Sequence, residues 1–293
     1  MEQRPFTSRT AEIAAALRVW HTRLDDPPAI FDDRAVLPLL SSGIRRLVQP
    51  PPPLLAMQWR ALESAHPELA ALRGQTVTRA RFAEDALDTA LEKGHRQIVL
   101  LGAGLDTTAL RRPDILAQAQ LLEVDQPATQ WWKRSLLTAE VANRMRFAAV
   151  DFARDCLAER LVDAGIDPDT PLFANWLGCT YYLPRAAIGT TLQGLAEVAA
   201  PGSELIADYW LPSENVAWRP RMLLHGVALA LHTQQEPLRG LLPAETMHRL
   251  ATDAGWQIAE ELDAPALQAR WLAGRRDSLS VPAFARCLRL VRS

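Results

Sequence analysis

The sequence of 293 residues predicts an α/β fold built on a doubly wound, mostly parallel sheet of seven strands. Five apolar, strand-like segments between residues 96 and 209 alternate with helical segments, a pattern typical of parallel sheets. Two more strand-like segments, 256–262 and 284–291, are expected to form an antiparallel edge. The first strand enters Gly102-Ala103-Gly104, a turn of the kind that brings backbone close to a ligand at the carboxyl edge of such a sheet.

Two helical segments and a proline run precede this alternation. The first segment covers residues 9–24, and apolar side chains at helical spacing predict its buried stripe as Ile13, Leu17 and Trp20. The second covers residues 33–41 and is expected to end at Ser42-Gly43. The four prolines 50–53 predict an extended connection, because successive prolines disfavour helix.

The chain is therefore expected to form one domain with three parts. Residues 1–75 are predicted to form an N-terminal helical cap that is integral to the domain, and residues 76–293 its core. Within the core, residues 210–242 interrupt the alternation with prolines and an apolar helix near residues 222–232. They predict a lid insertion beside the ligand site.

The helix predicted over residues 76–94 carries two arginines in different surroundings. Arg81 shares a face with Asp85, which predicts an exposed ion pair. Arg79 lies among alanines on the inward face, where an unpaired guanidinium would be costly. Its partner is either an internal carboxylate of the chain or a carboxylate of the ligand.

The next two strands carry acidic residues suited to a nucleotide-like ligand. The strand over residues 119–125 ends in Asp125, which follows Gly104 by 21 residues. An acidic side chain at that distance accepts hydrogen bonds from ribose hydroxyls. The strand over residues 144–152 carries Asp151 near its end.

Two connecting helices have predicted core faces. The helix over residues 127–142 is expected to pack through Trp131, Leu136 and Val141. The helix over residues 185–200 is expected to pack through Ile188, Leu192 and Leu195.

Composition excludes several classes of protein. The formal net charge of −2 gives no reason to expect a nucleic-acid or anionic-membrane partner. Three distant cysteines form neither a disulfide framework nor a zinc spacing, and no metal site is expected. The first ten residues lack the apolar run of a signal peptide, and no apolar segment approaches a membrane span. We expect a cytoplasmic protein.

The glycine turn favours one ligand class over another. A dinucleotide site would have a third glycine where this chain has Thr107, since that glycine allows close helix packing beside the pyrophosphate. A ligand with a ribose and no pyrophosphate relaxes the demand. This favours S-adenosylmethionine over NAD.

The segments QIVLLGAGLDTTALRR, LLEVDQPATQWWKR, AVDF and WLGCTYYLPRAAIGTTLQGL are similar to successive motifs of one enzyme family. They resemble the leucine carboxyl methyltransferase-like family of class I S-adenosylmethionine-dependent methyltransferases, over about residues 8 to 262. The chain departs from the family pattern at Thr108, where many bacterial members have arginine, and at Leu177, where glutamate is frequent.

The resemblance implies a Rossmann-like methyltransferase core, S-adenosylmethionine as methyl donor and S-adenosylhomocysteine as product. It implies that Asp125 binds the ribose, that Asp151 and Phe152 meet the adenine, and that Arg79 pairs with the methionine carboxylate. The remaining residues expected at the donor site are Gly102, Ala103, Gly104, Asp106 and Gln126. Arg18 is a further candidate for the same carboxylate, although we favour a surface position for it.

The predicted reaction is an in-line methyl transfer to an oxygen of a small-molecule or peptide acceptor. Tyr181 and Thr180, which follow the fourth strand, are expected to position that acceptor. A carboxylate acceptor would need no general base, whereas a hydroxyl would benefit from one. His225 and Arg219 lie in the predicted lid, and a buried core position is favoured for His225.

Two other functions stay open from the sequence. An NAD(P)-dependent oxidoreductase is disfavoured by Thr107 and by the absence of a Tyr-x-x-x-Lys pair. A non-catalytic protein that retains the cofactor pocket is the second alternative. Asp208 fits either a structural or an acceptor-side role, and the sequence leaves open whether the protein is a monomer or a dimer.

Overall fold

The computed structural model describes residues 8–66 and 68–293, and its core is a seven-stranded sheet. In chain order the strands are β1 (Gln97–Leu101), β2 (Gln120–Asp125), β3 (Arg146–Ala149), β4 (Leu172–Trp176), β5 (Glu204–Trp210), β6 (Trp256–Asp263) and β7 (Ala285–Arg292). They lie in the order β3-β2-β1-β4-β5-β7-β6. The first five pair in parallel, and β7 runs antiparallel to both β5 and β6. The predicted fold class is confirmed, with β6 as the outermost strand of the antiparallel edge.

The central strands read as apolar runs because they are buried on both faces. All five residues of β1 are buried, as expected of a parallel strand that is covered by helices on either side. Leu101 is paired with Val124 of β2, and Leu100 with Asn175 of β4. The carboxyl ends of β1, β2 and β4 are therefore neighbours, and the glycine turn leaves the sheet between the other two strands.

Helices surround this sheet along the whole described chain. They are α1 (Arg9–Leu24), α2 (Ser42–Leu47), α3 (Pro53–Ala65), α4 (Glu68–Glu92), α5 (Thr108–Arg111), α6 (Pro113–Gln118), α7 (Pro127–Leu136), α8 (Ala139–Ala142), α9 (Leu157–Asp163), α10 (Arg185–Glu197), α11 (Trp218–Thr233), α12 (Ala244–Asp253) and α13 (Ala264–Trp271). Across residues 8–66 and 68–293, no helix has the length and apolarity needed to cross a membrane.

Helix α1 has the predicted bounds, but its predicted stripe is only partly confirmed, since Trp20 packs against a buried cluster and Ile13 does not. Ile13 is 41% exposed, whereas Ala15, Ala16 and Val19 are buried. These three residues pack with Val36, Leu39 and Leu40 of the segment that follows α1, and with Leu105 after the glycine turn. The alanines and Val19 therefore form the packing face instead of Ile13.

The rest of the cap is more helical than predicted. The segment expected as a helix over residues 33–41 is a 3₁₀-helix, Arg34–Leu39, and Gly43 lies within α2 instead of ending a helix. Pro53 begins α3, a helix that was not predicted. Proline is accepted at the first helical position because that residue's N–H has no intrahelical partner.

Helix α4 is longer than predicted. It begins at Glu68, not at residue 76, and it ends near Gly94 as expected, where the backbone has a φ of +94°. A division of the chain between residues 75 and 76 therefore falls inside one continuous helix. The division into cap and core stays a prediction.

Two expectations for the later connections are wrong. The helix predicted over residues 127–142 is divided into α7 and α8. Trp131 and Leu136 of α7 are exposed instead of packed. The predicted core face of α10 is confirmed, since Ile188, Leu192 and Leu195 are fully buried.

A buried ion cluster joins the helices of the cap to α4. The guanidinium of Arg73 on α4 donates to both carboxylate oxygens of Asp25, which follows α1, and to both of Glu63 on α3, each at 2.8 Å. All three side chains are almost completely inaccessible to solvent. Burial raises the pKa of Asp25, but the hydrogen bonds from His21 and Arg73 outweigh it and hold the pKa below its usual value.

Arg73→Met should destabilise the protein by about 3–5 kcal/mol, because it leaves two buried carboxylates without their shared cation. Urea unfolding followed by circular dichroism measures the change. Arg81→Gln is the matched control on the same helix, since among the described residues Arg81 pairs only with Asp85, in the predicted solvent-exposed pair at 2.7 Å. Equal stability losses in the two variants would contradict a structural role for the cluster.

Candidate functional site

A cavity of about 420 Å³ opens at the carboxyl ends of β1, β2 and β4. Its floor is formed by the glycine turn and the residues that follow these strands. Its mouth is bordered by α1 and by residues 235–239, which follow α11. A cleft of this volume at this edge of a parallel sheet is the usual site for a small ligand.

The glycine turn requires glycine at Gly102 for two reasons. The φ of Gly102 is +62°, in the region that other residues rarely adopt. A Cβ there would also lie 2.0 Å from Sγ of Cys179, which follows β4. Gly104 has a φ of +48° and faces Ala11 of α1. The turn is thus enclosed between β4 and the cap.

Asp125 lies where the sequence predicts it, at the end of β2 and in the cavity wall. One carboxylate oxygen accepts the N–H of Gly104 at 2.5 Å and the other accepts the N–H of Gln126 at 2.7 Å. Burial raises the pKa of Asp125, and these two N–H groups offset part of the rise. Each oxygen keeps a lone pair beyond these bonds, so the carboxylate can also accept from a ligand.

Three more of the predicted donor-site residues line the cavity: Ala103, Asp106 and Gln126. Oδ1 of Asp106 accepts the N–H of Thr108 at 2.7 Å at the start of α5. The N–H of Ala103 donates to the carbonyl of Val124 at 3.1 Å, which holds the turn against β2.

The structure places Phe152 in the cavity wall and Asp151 outside it. Phe152 is buried, lines the cavity and lies near the ring of Trp176, with ring centroids 6.3 Å apart. Asp151 is not part of the cavity wall; its carboxylate accepts the N–H of Ala153 at 3.0 Å and lies 3.7 Å from Arg154. The direct contact expected from the Asp151 side chain stays a prediction that the geometry does not favour.

Arg79 is buried on the inward face of α4, as predicted, and its partner is an internal carboxylate. Its Nη1 donates to Oδ2 of Asp208 and to the hydroxyl oxygen of Tyr181, both at 2.7 Å. A Cβ on Gly178 would lie 3.0 Å from Nη2 of Arg79, so glycine leaves room for the guanidinium. Nε and Nη2 donate to no other described residue, which leaves Arg79 able to bind an anion in the cavity it lines.

Tyr181 and Thr180 have different surroundings. Tyr181 lines the cavity and stacks on Trp210 with centroids 4.1 Å apart. Thr180 is fully buried, and its hydroxyl donates to the carbonyl of Asp208 at 2.6 Å. The acceptor-positioning role expected of Thr180 stays a prediction that this geometry does not favour. Tyr182 lines the cavity beside Tyr181.

A second buried carboxylate connects the cap to the glycine turn. Asp33 is completely buried and accepts Nε of Arg18 at 2.6 Å and the hydroxyl of Thr107 at 2.5 Å. Arg18 also donates to the carbonyl of Leu105 at 2.8 Å. The surface position favoured for Arg18 is wrong, because Arg18 pairs with the buried Asp33. Spacing in the sequence does not identify this partner.

The predicted lid contributes its final segment to the site. Gln235, Glu236, Pro237 and Arg239 line the cavity, whereas His225 and Arg219 on α11 do not. His225 is exposed, so the favoured core position is wrong. Glu236 accepts from the N–H of Thr10 at 3.3 Å and from its hydroxyl, which joins this segment to α1 across the mouth.

No motif identified Asp33, Glu236, Thr10 or Arg239, because each is placed by packing between distant parts of the chain. Within residues 8–66 and 68–293, no group of three histidine, cysteine or acidic side chains is arranged to hold a metal ion.

Comparison with known proteins agrees with this geometry. Residues 11–196 match the family model for leucine carboxyl methyltransferase. A Bacillus subtilis protein, whose name assigns it provisionally to the S-adenosyl-L-methionine-dependent methyltransferases, is 27% identical over 94% of each chain. A Mycolicibacterium smegmatis protein with the same assignment is 33% identical over 68% of this chain and 65% of its own.

Solved structures show the same fold. A DUF574 family protein from Streptomyces avermitilis aligns over 95% of this chain and 97% of its own, with a TM-score of 0.57 and 16% identity. At that identity the likeness concerns the fold alone.

Asp33→Asn should loosen the glycine turn, because it removes the charge that Arg18 and Thr107 share. We expect a loss of stability on the order of 3 kcal/mol and faster amide hydrogen exchange in residues 102–107. Mass spectrometry of deuterium uptake measures the second effect. Asp32→Asn is the neighbouring control, since Asp32 pairs with Arg34 at the surface. Unchanged exchange in the turn would show that Asp33 does not position it.

Proposed function

Since the chain belongs to the leucine carboxyl methyltransferase family of S-adenosylmethionine-dependent methyltransferases, we propose that it methylates an oxygen of a small acceptor. The observation that carries the proposal is the placement of Asp125. Its carboxylate holds the glycine turn through Gly104 and still faces the cavity. This is the arrangement in which an acidic side chain binds the hydroxyls of a ribose.

The residues of the cavity fit the parts of S-adenosylmethionine. Asp125 would accept from the ribose, the buried ring of Phe152 would contact the adenine, and Nη2 of Arg79 would donate to the methionine carboxylate. Gly102 and Gly104 keep the turn free of side chains beside the ligand. When bound, S-adenosylmethionine supplies an electrophilic methyl group.

The lining of the cavity favours a carboxylate acceptor. Its described residues include no histidine and no lysine, and its acidic side chains already accept hydrogen bonds from other parts of the chain: Asp33, Asp106, Asp125 and Glu236. Burial raises the pKa of Tyr181, of Tyr182 and of Cys179, so these three groups stay protonated and are poor bases. A carboxylate is already a nucleophile and needs only to be positioned.

Tyr181 and Tyr182 are the side chains best placed to position the acceptor. Both line the cavity, their ring centroids lie 4.8 Å apart, and Tyr181 is fixed by Arg79 and Trp210. The hydroxyl of Thr180, which is committed to Asp208, is left out of this role. The hydrogen bonds that join Glu236 to Thr10 at the mouth favour a small molecule over a protein surface.

Asp125→Ala should weaken binding of S-adenosylhomocysteine by about 10- to 100-fold, because it removes a charged acceptor for two ligand hydroxyls. Isothermal titration calorimetry measures the affinity. Asp151→Ala is the matched control: its carboxylate lies outside the cavity wall, so its affinity should stay within about threefold of wild type. Wild-type affinity in Asp125→Ala would refute the assignment of the donor site.

The reaction itself is tested with methyl-labelled S-adenosylmethionine and a panel of small carboxylates and phenols. A carboxylate acceptor predicts labelled product that releases methanol in mild base, because esters hydrolyse there and aryl ethers do not. Base-stable product would identify a hydroxyl acceptor. Tight binding of S-adenosylhomocysteine without transfer to any acceptor would favour the non-catalytic alternative, and binding of NAD would favour an oxidoreductase.

A further inference from the structure

Among the residues that the structure describes, three cationic side chains line the cavity, and only Arg239 makes no hydrogen bond or ion pair with another of these residues. Arg18 is committed to Asp33 and to the carbonyl of Leu105, and Arg79 to Asp208 and Tyr181. The guanidinium of Arg239 makes no hydrogen bond or ion pair with any described residue, and it is exposed at the mouth.

The backbone that carries Arg239 is firmly held. The N–H groups of Arg239 and Gly240 both donate to the carbonyl of Tyr181, at 2.8 and 3.1 Å. A Cβ on Gly240 would lie 2.1 Å from the carbonyl oxygen of Thr180, so the segment packs directly on the turn after β4. Arg239 is therefore attached to the same turn that presents Tyr181 and Tyr182 to the acceptor.

The nearest acidic side chain of this segment does not neutralise Arg239. Glu236 accepts from the hydroxyl and the N–H of Thr10 on α1, and it makes no ion pair with Arg239 within 4.0 Å. Asp33, Asp106 and Asp125 accept from Thr107, Thr108 and Gly104 respectively. The donors to Glu236 are neutral, so it keeps its charge, but its carboxylate is bonded to α1 and not to Arg239. The guanidinium of Arg239 is thus available to a ligand at the mouth.

We infer that Arg239 binds a second anionic group of the acceptor, one that does not react. The inference rests on the proposed methylation of a carboxylate. That reaction removes the negative charge of the reacting oxygen, so a guanidinium bound there would favour the substrate over the transition state and slow the reaction. A second carboxylate keeps its charge throughout, and Arg239 can bind it without opposing the reaction.

The substrate class that follows is a small dicarboxylate, or a carboxylate with another anionic group. One end reaches Tyr181 and Tyr182 near the donor, and the other stays at the mouth. A guanidinium offers paired N–H donors that match the two oxygens of a carboxylate. Arg239 is a specificity-determining residue in this scheme and takes no part in the chemistry.

The test measures binding to the protein loaded with S-adenosylhomocysteine, using two matched pairs of ligands. Glutarate is compared with glutarate monoamide, and benzene-1,3-dicarboxylate with 3-carbamoylbenzoate. Each pair keeps one carboxylate and differs only in the charge of the second group. In wild type we expect the dianion to bind about 10-fold more tightly, as for a partly solvated charged hydrogen bond.

Three variants test whether Arg239 is the source of the preference for the dianion. Arg239→Gln should abolish the difference within each pair, and Arg239→Lys should retain part of it, since it keeps the charge without the paired donors. Arg219→Gln is the control and should retain all of it; Arg219 lies outside the cavity wall, with its guanidinium 5.3 Å from the ring of Trp218. S-adenosylhomocysteine should bind all forms equally.

The outcomes separate the two proposals. Wild-type protein that binds S-adenosylhomocysteine but shows no preference for the dianions, or binds neither member of a pair, overturns the inference alone. A preference that persists in Arg239→Gln also overturns it, as does weaker binding of the monoanions in that variant. Failure of wild type to bind S-adenosylhomocysteine overturns the proposed function and this inference with it.

Discussion

The carboxylate of Asp208 is the contact on which one half of the site depends. It lies fully buried on β5, where it accepts from Nη1 of Arg79 on α4 at 2.7 Å and from the N–H of Gly178 after β4 at 2.6 Å. Its own carbonyl accepts the hydroxyl of Thr180. Burying one carboxylate is costly unless its partners are complete, so these bonds are formed together or not at all. Asp208 thereby fixes the relative positions of α4, the turn at Gly178 and Tyr181.

The opposite wall follows the same principle with a different aspartate. Asp33 of the cap accepts from Arg18 and Thr107, and so connects α1 to the glycine turn after β1. Asp125 accepts the N–H of Gly104 in that turn. The cavity is thus bounded by carboxylates that each satisfy backbone or side-chain donors from another part of the chain. A site held in this way is organised before any ligand arrives, which lowers the entropy lost on binding.

Sequence periodicity and chain order predicted those features of the structure that neighbouring residues determine. The alternation of strands and helices, Asp125 at the end of β2 and the inward orientation of Arg79 follow from periodicity and chain order. The partners of Arg79, Arg18 and Thr180 do not, because Asp208 and Asp33 reach them through tertiary packing. The buried face of α1 was predicted incompletely for a related reason: hydrophobicity favoured Ile13, whereas Ala15 and Ala16 belong to the buried cluster of the cap. The prolines 50–53 were interpreted as an extended connection, although Pro53 begins α3, since proline is also accepted at the start of a helix.

Thr107, which lies where a dinucleotide site has a third glycine, also restricts which caps can be exchanged into this protein. Thr107 uses its hydroxyl on Asp33, so the turn and the cap are complementary parts of one structure. A cap exchanged between relatives would have to bring Asp33 and Arg18 to a recipient with a hydroxyl at the matching place. Otherwise the chimera would bury Asp33 without the hydroxyl group that Thr107 donates to it. Chimeras that alter substrate choice should therefore take the cap and the glycine turn from the same parent.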